Sequence, residues 1–520
     1  MTTGHIPEAA GAEAWPWLKS YPAGVDWHAD IPGRPIYQLL LDAVAAHGDK
    51  PCLDFLGRAY TYRAIGELVR RAAKGLARLG VVKGTRVALL LPNSPTYVIS
   101  YFAATLAGGT VVNLNPLYTA PEIRHLVEDS GAEILITLDV KQLYVLAAPL
   151  IADGTLKKIV VQRMPDILPA AKGLLYRLFK RGDTASWPRD DKHLDFRALT
   201  ANDGAFTPPA IAPDRDVAVL QYTGGTTGVP KGAMLTHRNL WANTQQCLMW
   251  LRQMEGGIER VLCVLPFFHV FAMTGAMNLG LACGAELLLM PRFTIDDLFA
   301  LIERKRPTYL PGVPTLYTAI YNHPKAKSVD LSSIRICISG GASLPLEVKT
   351  KFVAATGCKL LEGYGLSETA PVLTVNPLDG EDKPGAAGLP VPGTIIEVTA
   401  IDDPLKLLPR GERGEICARG PQVMPGYWHK EGETRTAMAG GRFHTGDVGV
   451  VDEDGYLFIV DRIKDIIIAS GYKIYPRLIE EALYQHPKVA QAIVIGVPDP
   501  YRGQTVKAVV QPRAGETVTE

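Results

Sequence analysis

The chain has 520 residues and a formal net charge of +1, so its charge gives no electrostatic reason to expect a nucleic-acid partner. Apolar residues make up 47% and charged residues 21% of the sequence, which is typical of a globular protein. This length predicts two or more domains. The seven cysteines are scattered without a CxxC or His/Cys cluster, which indicates neither a zinc site nor a disulfide framework, and favours the reducing cytoplasm.

The N-terminal residues include Glu8 and Glu13 and lack the apolar core of a secretory signal. Residues 87–121 carry no charge, which raises the alternative of a transmembrane span. Pro92 and Gly108 interrupt this stretch, and its turn residues predict buried elements instead. These are a strand over Val87–Leu91, a helix over Thr96–Ala107 and a strand over Thr110–Asn113.

Helical and strand patterns alternate through most of the chain, as in Ile65–Leu79, which ends at Gly80, and Ile295–Lys305. This alternation predicts parallel sheets covered on both faces. The predicted strands are Ile134–Thr137, Ile159–Gln162, Val217–Gln221, Val261–Pro266, Glu286–Met290 and Ile336–Ser339. From residue 394 to 461 the pattern becomes β, with an Asp-Gly hairpin signal at Gly455.

A smaller unit begins near Arg462, so we predict domains at 1–461 and 462–520. Its expected elements are a strand over Asp465–Ala469, a helix near Arg477–Gln485 and strands over Ala490–Ile495 and Thr505–Gln511.

The segment Met164–Arg181 combines basic residues with leucines and Phe179, a pattern that suits an anionic membrane surface. Because it is short and broken by Pro169 and Gly173, we favour a surface excursion whose apolar side packs on its own domain.

A glycine-rich loop follows the strand predicted at Val217–Gln221. Its glycines bring backbone N–H groups close to phosphate oxygens, its threonines add donors and Lys231 adds charge. The loop is not a Walker A motif, because Val229 and Pro230 precede the lysine. The alternative is a structural turn. The candidate phosphate-binding residues are Thr223, Gly224, Gly225, Thr226, Thr227, Gly228 and Lys231.

Two further motifs carry polar groups that suit a nucleotide. In the first, glycines flank Tyr364, Glu368 offers an oxygen ligand for Mg²⁺ and Thr369 offers a hydroxyl. A helix start capped by Ser367 is the alternative. In the second, Asp447 and Arg462 could hold a ribose, although an Asp at this position is equally typical of a turn.

Two weaker motifs complete the set. Gly340 and Gly341 end an apolar strand, where a base could approach the backbone or a turn could simply pack. His269 lies among aromatic residues, as either a core side chain or part of a pocket for an apolar acid.

These motifs occur in the same order as in the adenylate-forming enzymes, which comprise acyl-CoA synthetases, luciferases and carrier-protein adenylation domains. The sequence resembles this superfamily from about residue 35 onwards, and most closely the bacterial long-chain fatty-acid–CoA ligases. Supporting stretches are Trp17–Pro22, Val112–Tyr118, Gly232–Asn239 and Gly420–Trp428.

The resemblance implies an α/β fold with a large N-terminal domain, made of two βα-sandwich subdomains and a β-rich subdomain, followed by a small mobile α+β C-terminal domain. It also implies a cytoplasmic ligase that uses ATP, Mg²⁺, CoA and a fatty acid. Peripheral contact with the inner membrane face and a homodimer are open alternatives.

The resemblance further assigns roles to individual residues. Thr223, Lys231, His269, Glu368, Thr369 and Lys464 would be catalytic, with Glu368 on the metal and Lys464 at a domain hinge. The nucleotide site would comprise residues Thr223–Gly228, Lys231, Gly340, Gly341, Ala342, Glu362, Gly363, Tyr364, Gly365, Thr369, Asp447 and Arg462. His269, Phe271, Met273, Gly312 and Val313 would border the acyl pocket, and Ser470, Gly471 and Tyr472 would lie near the CoA thiol.

The sequence departs from the superfamily pattern in two ways. The small domain normally continues to a Gly-Lys whose lysine assists adenylation, and this chain stops first, so we expect a truncated C-terminal domain. Met273 stands where some members have a gating aromatic. The alternatives to a fatty acid–CoA ligase are a dicarboxylate– or aryl-acid–CoA ligase, an acyl-AMP ligase serving a carrier protein, and a non-catalytic acyl-adenylate-binding protein.

Overall fold

The computed structural model describes residues 15–223, 230–254, 258–470, 472–513 and 515–517. Two large, mostly parallel sheets dominate this part of the chain, with one apolar core between them and another on the outer face of each. The predicted α/β class, with a large N-terminal domain and a small α+β C-terminal domain, is confirmed.

The first large sheet has nine strands, and its central strands run parallel. In spatial order they are Leu389–Pro390, Val372–Val375, Lys359–Gly365, Ile336–Ser339, Tyr309–Gly312, Arg260–Cys263, Glu286–Leu289, Pro51–Phe55 and Arg58–Thr61. The second has seven strands, with one antiparallel pair at its edge. They are His193–Asp195, Lys158–Gln162, Ile134–Leu138, Arg86–Leu90, Thr110–Asn113, Val217–Thr223 and Lys231–Thr236.

Helices fill the space between the sheets and cover their outer faces. Those described up to residue 200 are Gln38–His47, Tyr62–Arg78, Pro95–Leu106, Ala120–Ser130, Lys141–Ala152, Ala170–Phe179 and Phe196–Thr200. The later ones are His237–Trp250, Val270–Ala272, Leu279–Ala282, Ile295–Lys305, Pro314–Asn322, Leu346–Thr356, Glu431–Ala437 and Pro476–Tyr484, with a π-helix over Met273–Asn278.

The charge-free stretch forms the strand–helix–strand unit that its turn residues predict. Ser94 accepts a hydrogen bond from the Tyr97 amide at 3.2 Å, and Pro95 opens the helix, so both start signals are used. Every residue of the helix Pro95–Leu106 is buried in the core between the sheets. Within the described residues, the helices are all too short or too polar to span a bilayer.

Two antiparallel sheets follow the large ones. The β-rich part contains Ile395–Thr399, Gly414–Arg419, Phe443–Val451 and Leu457–Arg462, and the C-terminal unit contains Tyr472–Ile474, Ile467–Ala469, Gly503–Pro512 and Val489–Asp499. The strand predicted from Asp465 begins at Ile467, because residues 463–465 form a 3-10 turn. The domain boundary between residues 461 and 462 stays a prediction.

The prediction for residues 164–181 is wrong in one respect. The helix Ala170–Phe179 does lie on the domain surface, but its apolar side faces solvent rather than the domain. The reason is Gly173, where an added Cβ would lie 2.7 Å from the Pro165 carbonyl oxygen. The glycine side of the helix is therefore the side that can approach the protein closely.

Candidate functional site

The predicted phosphate loop joins two strands of the seven-stranded sheet. Thr223 ends one strand, Lys231 begins the next, and the two residues lie directly opposite each other in the antiparallel pair. Residues 224–229 between them, which include Gly224, Gly225, Thr226, Thr227 and Gly228, lie outside the described part of the chain. Their predicted contacts with phosphate stay predictions, and the described strands fix both ends of the loop.

Lys231, Tyr427 and Glu368 meet beside this loop. The Lys231 Nζ lies 5.2 Å from the centre of the Tyr427 ring, a cation–π distance. The Tyr427 hydroxyl donates a hydrogen bond of 2.9 Å to Glu368 Oε1. A cation, a phenol and a carboxylate thus lie one after another in space, next to the predicted polyphosphate position.

The sequence analysis missed Tyr427 as a site residue, although it lies in the quoted stretch Gly420–Trp428. Its segment is bonded to the strand that begins at Lys231, since the Trp428 amide donates to the Gly232 carbonyl at 2.8 Å. The Met424 amide donates to the Glu368 carbonyl at 2.8 Å. These backbone bonds tie the turn of Glu368 to the start of the phosphate loop.

Glu368 has the electrostatic character of a cation ligand. Burial raises the pKa of its carboxyl, and the Tyr427 hydroxyl and Lys231 oppose that shift. Burying a carboxylate is unfavourable unless positive charge or donors compensate, and hard oxygen ligands are those that Mg²⁺ prefers. The residue therefore fits the predicted metal role.

Tyr364, Asp447 and Arg462 form a second polar cluster. The Tyr364 hydroxyl donates to Asp447 Oδ2 at 2.6 Å, and Arg462 Nε lies 3.4 Å from Asp447 Oδ1. Burial raises the pKa of Asp447, while Tyr364 and Arg462 counter it. The structure thus brings Tyr364 together with Asp447 and Arg462, which belong to a different motif in the sequence, in an arrangement that suits two adjacent sugar hydroxyls.

Glu415 supports the turn that precedes Asp447. Its Oε1 accepts a hydrogen bond from the Gly446 amide at 3.1 Å, and its Oε2 lies 2.8 Å from His444 Nδ1. Cys417 Sγ lies 3.3 Å from the same ring nitrogen. The sequence indicated no His/Cys cluster, because the strand pairing that unites these residues joins positions 27 apart.

The predicted adenine-binding glycines lie at the ends of neighbouring strands. An added Cβ at Gly340 would lie 3.3 Å from the Phe271 ring, and Gly341 has a φ of +78°. At Gly365 an added Cβ would lie 1.9 Å from the Pro371 carbonyl oxygen. Packing therefore accounts for the glycine at 365, whereas Gly341 and the adjoining Ala342 leave the backbone accessible at the strand end. An added Cβ at Gly363 would lie 3.3 Å from the Thr374 carbonyl oxygen.

Glu362 is buried beside this turn and accepts a hydrogen bond of 3.2 Å from the Leu344 amide. Burial raises the pKa of its carboxyl to about 7, although Arg477 and Lys349 act in the opposite direction. In the unfolded chain the group would ionise near pH 4.5. Between these values the folded state keeps a proton that the unfolded state has lost, so stability falls as the pH rises through this window.

We expect Glu362→Gln to reduce this pH dependence, because the amide keeps an acceptor for the Leu344 N–H and does not titrate. Between acid pH and pH 8, the free energy of unfolding of the variant is expected to gain at most about 3 kcal/mol relative to that of the wild type. Calorimetric unfolding midpoints at pH 5 and pH 8 test this, with the exposed Glu433→Gln as a matched control. An unchanged difference between the two midpoints in Glu362→Gln would contradict the assignment.

Thr369 is fully buried, and its hydroxyl is already hydrogen-bonded to backbone groups. Its single O–H lies within hydrogen-bonding distance of the Leu366 and Pro371 carbonyls, and its oxygen accepts from the Leu366 amide at 3.1 Å. Contact with an α-phosphate would require these bonds to be exchanged. The role predicted for Thr369 stays a prediction, and its observed role is to close the turn that presents Glu368.

His269 is exposed, yet enough protein surrounds it for desolvation to lower the pKa of its imidazole. The preceding residue is anchored by Gln221, whose amide donates to the Phe268 carbonyl at 2.9 Å. Because Gln221 lies two residues before Thr223, this anchor connects the predicted acyl pocket to the phosphate loop.

The other predicted pocket residues lie beside the predicted adenine-binding glycines or in the core. Phe271 packs against Gly340, Val313 is the residue that would be nearest to a Cβ on Gly341, and Met273 is buried with its sulfur 3.5 Å from the Asn113 amide. Gly312 faces Tyr317, whose ring atoms would lie 2.9 Å from an added Cβ. Gly312 is thus explained by packing, and Asn113, which the sequence analysis did not single out, contacts Met273.

The predicted hinge residue Lys464 and the predicted CoA-proximal residues Ser470 and Tyr472 are exposed. Lys464 lies in the 3-10 turn Ile463–Asp465, and Ser470 adopts a left-handed conformation with a φ of 50°. Tyr472 is 76% exposed, and Gly471 lies outside the described residues. In the described arrangement, therefore, Tyr472 faces solvent, and a place beside the CoA thiol stays a prediction.

The sequence matches two known protein families, one over most of its length and one at its C-terminal end. The AMP-binding enzyme family matches residues 40–428, and the AMP-binding enzyme C-terminal domain matches residues 478–520. A long-chain-fatty-acid–CoA ligase of Bacillus subtilis (strain 168) is 42% identical over 512 residues, covering 96% of this chain and 89% of that protein. A feruloyl-CoA synthase of Amycolatopsis sp is 37% identical over 464 residues, covering 89% and 85%.

Among solved structures, ATP-bound MatB from Rhodopseudomonas palustris superimposes with a TM-score of 0.81 at 30% identity. The match covers 94% of this chain and 90% of that one.

Proposed function

The chain belongs to the AMP-binding enzyme family, as its resemblance to adenylate-forming enzymes predicted, and we propose that it is an ATP- and CoA-dependent fatty acid–CoA ligase for medium- and long-chain acids. One observation carries the proposal: the Lys231–Tyr427–Glu368 cluster borders the predicted phosphate loop. Asp447 is close enough to raise the pKa of Glu368. Groups for phosphates, metal and ribose therefore lie within one site.

In the first step, a carboxylate oxygen of the acid forms a bond to the α-phosphorus of ATP. The bond from that phosphorus to the pyrophosphate oxygen breaks, which gives acyl-AMP and pyrophosphate. Lys231 and the loop amides stabilise the charge on the phosphates, and the cluster of Tyr364, Asp447 and Arg462 holds the ribose. Glu368 would hold the Mg²⁺ that accompanies ATP, which supplies further charge neutralisation when bound.

In the second step, the CoA thiol attacks the acyl carbonyl, the bond to the AMP oxygen breaks, and acyl-CoA and AMP are released. Rotation of the C-terminal unit about Lys464 would bring Ser470, Gly471 and Tyr472 to the site. The described contacts between the units suit such movement. They include an ion pair of 3.2 Å between the exposed Arg513 and Glu347 and a stack of Arg413 on Tyr475, and exposed pairs of this kind stabilise weakly.

The character of the acyl pocket favours a monocarboxylic acid. The pocket residues Phe271, Met273 and Val313 are uncharged, and desolvation lowers the pKa of His269, which favours its neutral imidazole. Among the described residues of this pocket, none offers the fixed positive charge that a second carboxylate would require. The identity to a long-chain-fatty-acid–CoA ligase supports the same substrate class.

The test is mass spectrometry of products from the chain with ATP, Mg²⁺ and a panel of fatty acids, dicarboxylates and benzoates, with and without CoA. Acyl-CoA formed from fatty acids is the expected result. Acyl-CoA formed only from dicarboxylates or benzoates would contradict the substrate class. Acyl-AMP made without acyl-CoA would indicate a carrier-protein ligase, and tight binding of acyl-AMP without turnover would indicate a binding protein.

A further inference from the structure

The helix Ala170–Phe179 presents an apolar surface to solvent. Leu174 is 60% and Phe179 is 77% exposed, and two further leucines between them are more than half exposed. Four large apolar side chains on one short surface helix form a contiguous patch of a kind that marks a protein or membrane contact. The exposed members are Leu174, Leu175, Leu178 and Phe179.

The geometry of the helix directs this patch away from the protein. At 3.6 residues per turn, the four side chains cover an arc of about 140°, whose centre lies opposite Gly173. Gly173 faces the Pro165 carbonyl, and Lys172 Nζ donates to the Leu56 carbonyl at 2.8 Å. The helix is thus attached by its glycine side and by a lysine at its edge, and the apolar arc points outward.

Basic residues border the apolar arc. Lys172 and Arg177 lie at its two edges by helical geometry, and Lys180 and Arg181 follow the last turn. The sequence from 170 to 181 contains no acidic residue. An apolar face flanked by Lys and Arg is the pattern of helices that lie in the headgroup region of anionic membranes.

A cavity of about 610 Å³ lies at one edge of the apolar arc, where Leu174 and Arg177 of the helix and Arg58 and Arg197 of the domain line it. Its lining carboxylate, Asp166, pairs with Arg177 at 2.9 Å and with Arg197 at 2.7 Å. Three guanidinium groups around one carboxylate leave an excess of positive charge, and guanidinium groups match phosphate oxygens in geometry. The cavity therefore suits a phosphate headgroup.

We propose that the helix Ala170–Phe179 docks this protein on an anionic phospholipid surface. The apolar arc enters the headgroup region, the basic edges contact anionic lipids, and the arginine-lined cavity receives a lipid phosphate. Charge complementarity selects a membrane over a protein partner, because positive groups occur on both edges of the arc and beside it. This surface is separate from the residues assigned to adenylation.

Flotation of the full chain with vesicles tests the proposal, with phosphatidylcholine alone compared with a mixture containing phosphatidylglycerol. We expect binding only to the anionic vesicles, and weaker binding at high salt. Arg181→Ala should weaken vesicle binding about fivefold, the effect of one basic group near such a surface, whereas Lys180 is already paired with Asp183 at 3.1 Å. The double variant Leu174→Glu, Leu178→Glu should lose binding, and an exposed leucine elsewhere, in Leu405→Glu, is the matched control.

Equal flotation of the double variant and the wild type would overturn the proposal, as would wild-type protein that stays away from anionic vesicles. A wild-type dimer in solution that the double variant abolishes would also overturn it, because a second copy would then cover the arc. Unchanged thermal unfolding of the variants excludes misfolding as the cause. Loss of vesicle binding with ligase activity retained separates this result from the proposed function.

Discussion

Glu368→Gln is expected to lower pyrophosphate exchange by about 10²–10³-fold, the cost of losing one positioned charge-stabilising group. Glutamine keeps the shape and an acceptor for the Tyr427 hydroxyl, which lies 2.9 Å from Glu368 in the native chain. It removes the negative charge that would hold Mg²⁺ on the phosphates. The exchange of labelled pyrophosphate into ATP in the presence of acid measures the first step alone.

The Mg²⁺ dependence distinguishes a metal ligand from a structural residue. A weakened ligand shifts half-saturation to higher Mg²⁺, whereas a purely structural loss leaves it in place. Tyr427→Phe, which removes only the hydrogen bond to Glu368, should cause a smaller loss. Pyrophosphate exchange of normal rate and normal Mg²⁺ dependence in Glu368→Gln would refute the metal role.

The pH profile follows from the same carboxyl. Because burial raises the pKa of Glu368, protonation begins at a higher pH than for an exposed glutamate. The exchange rate is therefore expected to fall as the pH is lowered through that raised pKa.

Local pattern was sufficient to predict much of the fold. The unit from residue 87 to 113 was predicted correctly, because an uncharged stretch that Pro and Gly interrupt favours short buried elements over one long helix. The helix Pro95–Leu106 is indeed buried throughout. Where the chain was misjudged, the cause was a tertiary contact. For residues 164–181 the sequence predicted a surface excursion with its apolar side on the domain, but the side of residues 170–179 that faces the protein was determined by the approach of Gly173 to Pro165.

Each motif of the candidate site was predictable from the sequence, but the hydrogen bonds that connect the motifs were not. Tyr364 and Asp447 were each selected from their own motifs, while their 2.6 Å hydrogen bond joins residues 83 positions apart. Tyr427 was not predicted as a site residue, because a tyrosine in a Pro-Gly-rich stretch has no chemical signature of its own. Its position beneath Lys231 arises from the backbone pairing of its segment with the strand Lys231–Thr236.

Lys464→Pro is expected to spare adenylation and to slow thioester formation at least about 100-fold, the cost of misplacing a reacting group. Lys464 lies in the turn that joins the strands Leu457–Arg462 and Ile467–Ala469. Among the hydrogen bonds of the described residues, none uses its amide, and proline's fixed φ matches the 3-10 conformation. Proline at 464 therefore removes none of these hydrogen bonds of the described state, and its fixed φ restricts the backbone rotation that we assign to this residue.

Measuring the two steps separately isolates the hinge. Pyrophosphate exchange reports the first step, and acyl-CoA formed from supplied acyl-AMP and CoA reports the second. Lys464→Ala removes the same side chain but keeps backbone freedom, so it should retain the second step. If Lys464→Pro impaired neither step or both equally, rotation at this residue would not separate them, and the hinge assignment would be wrong. If Lys464→Ala failed like proline, the lysine side chain rather than backbone rotation would be the essential feature.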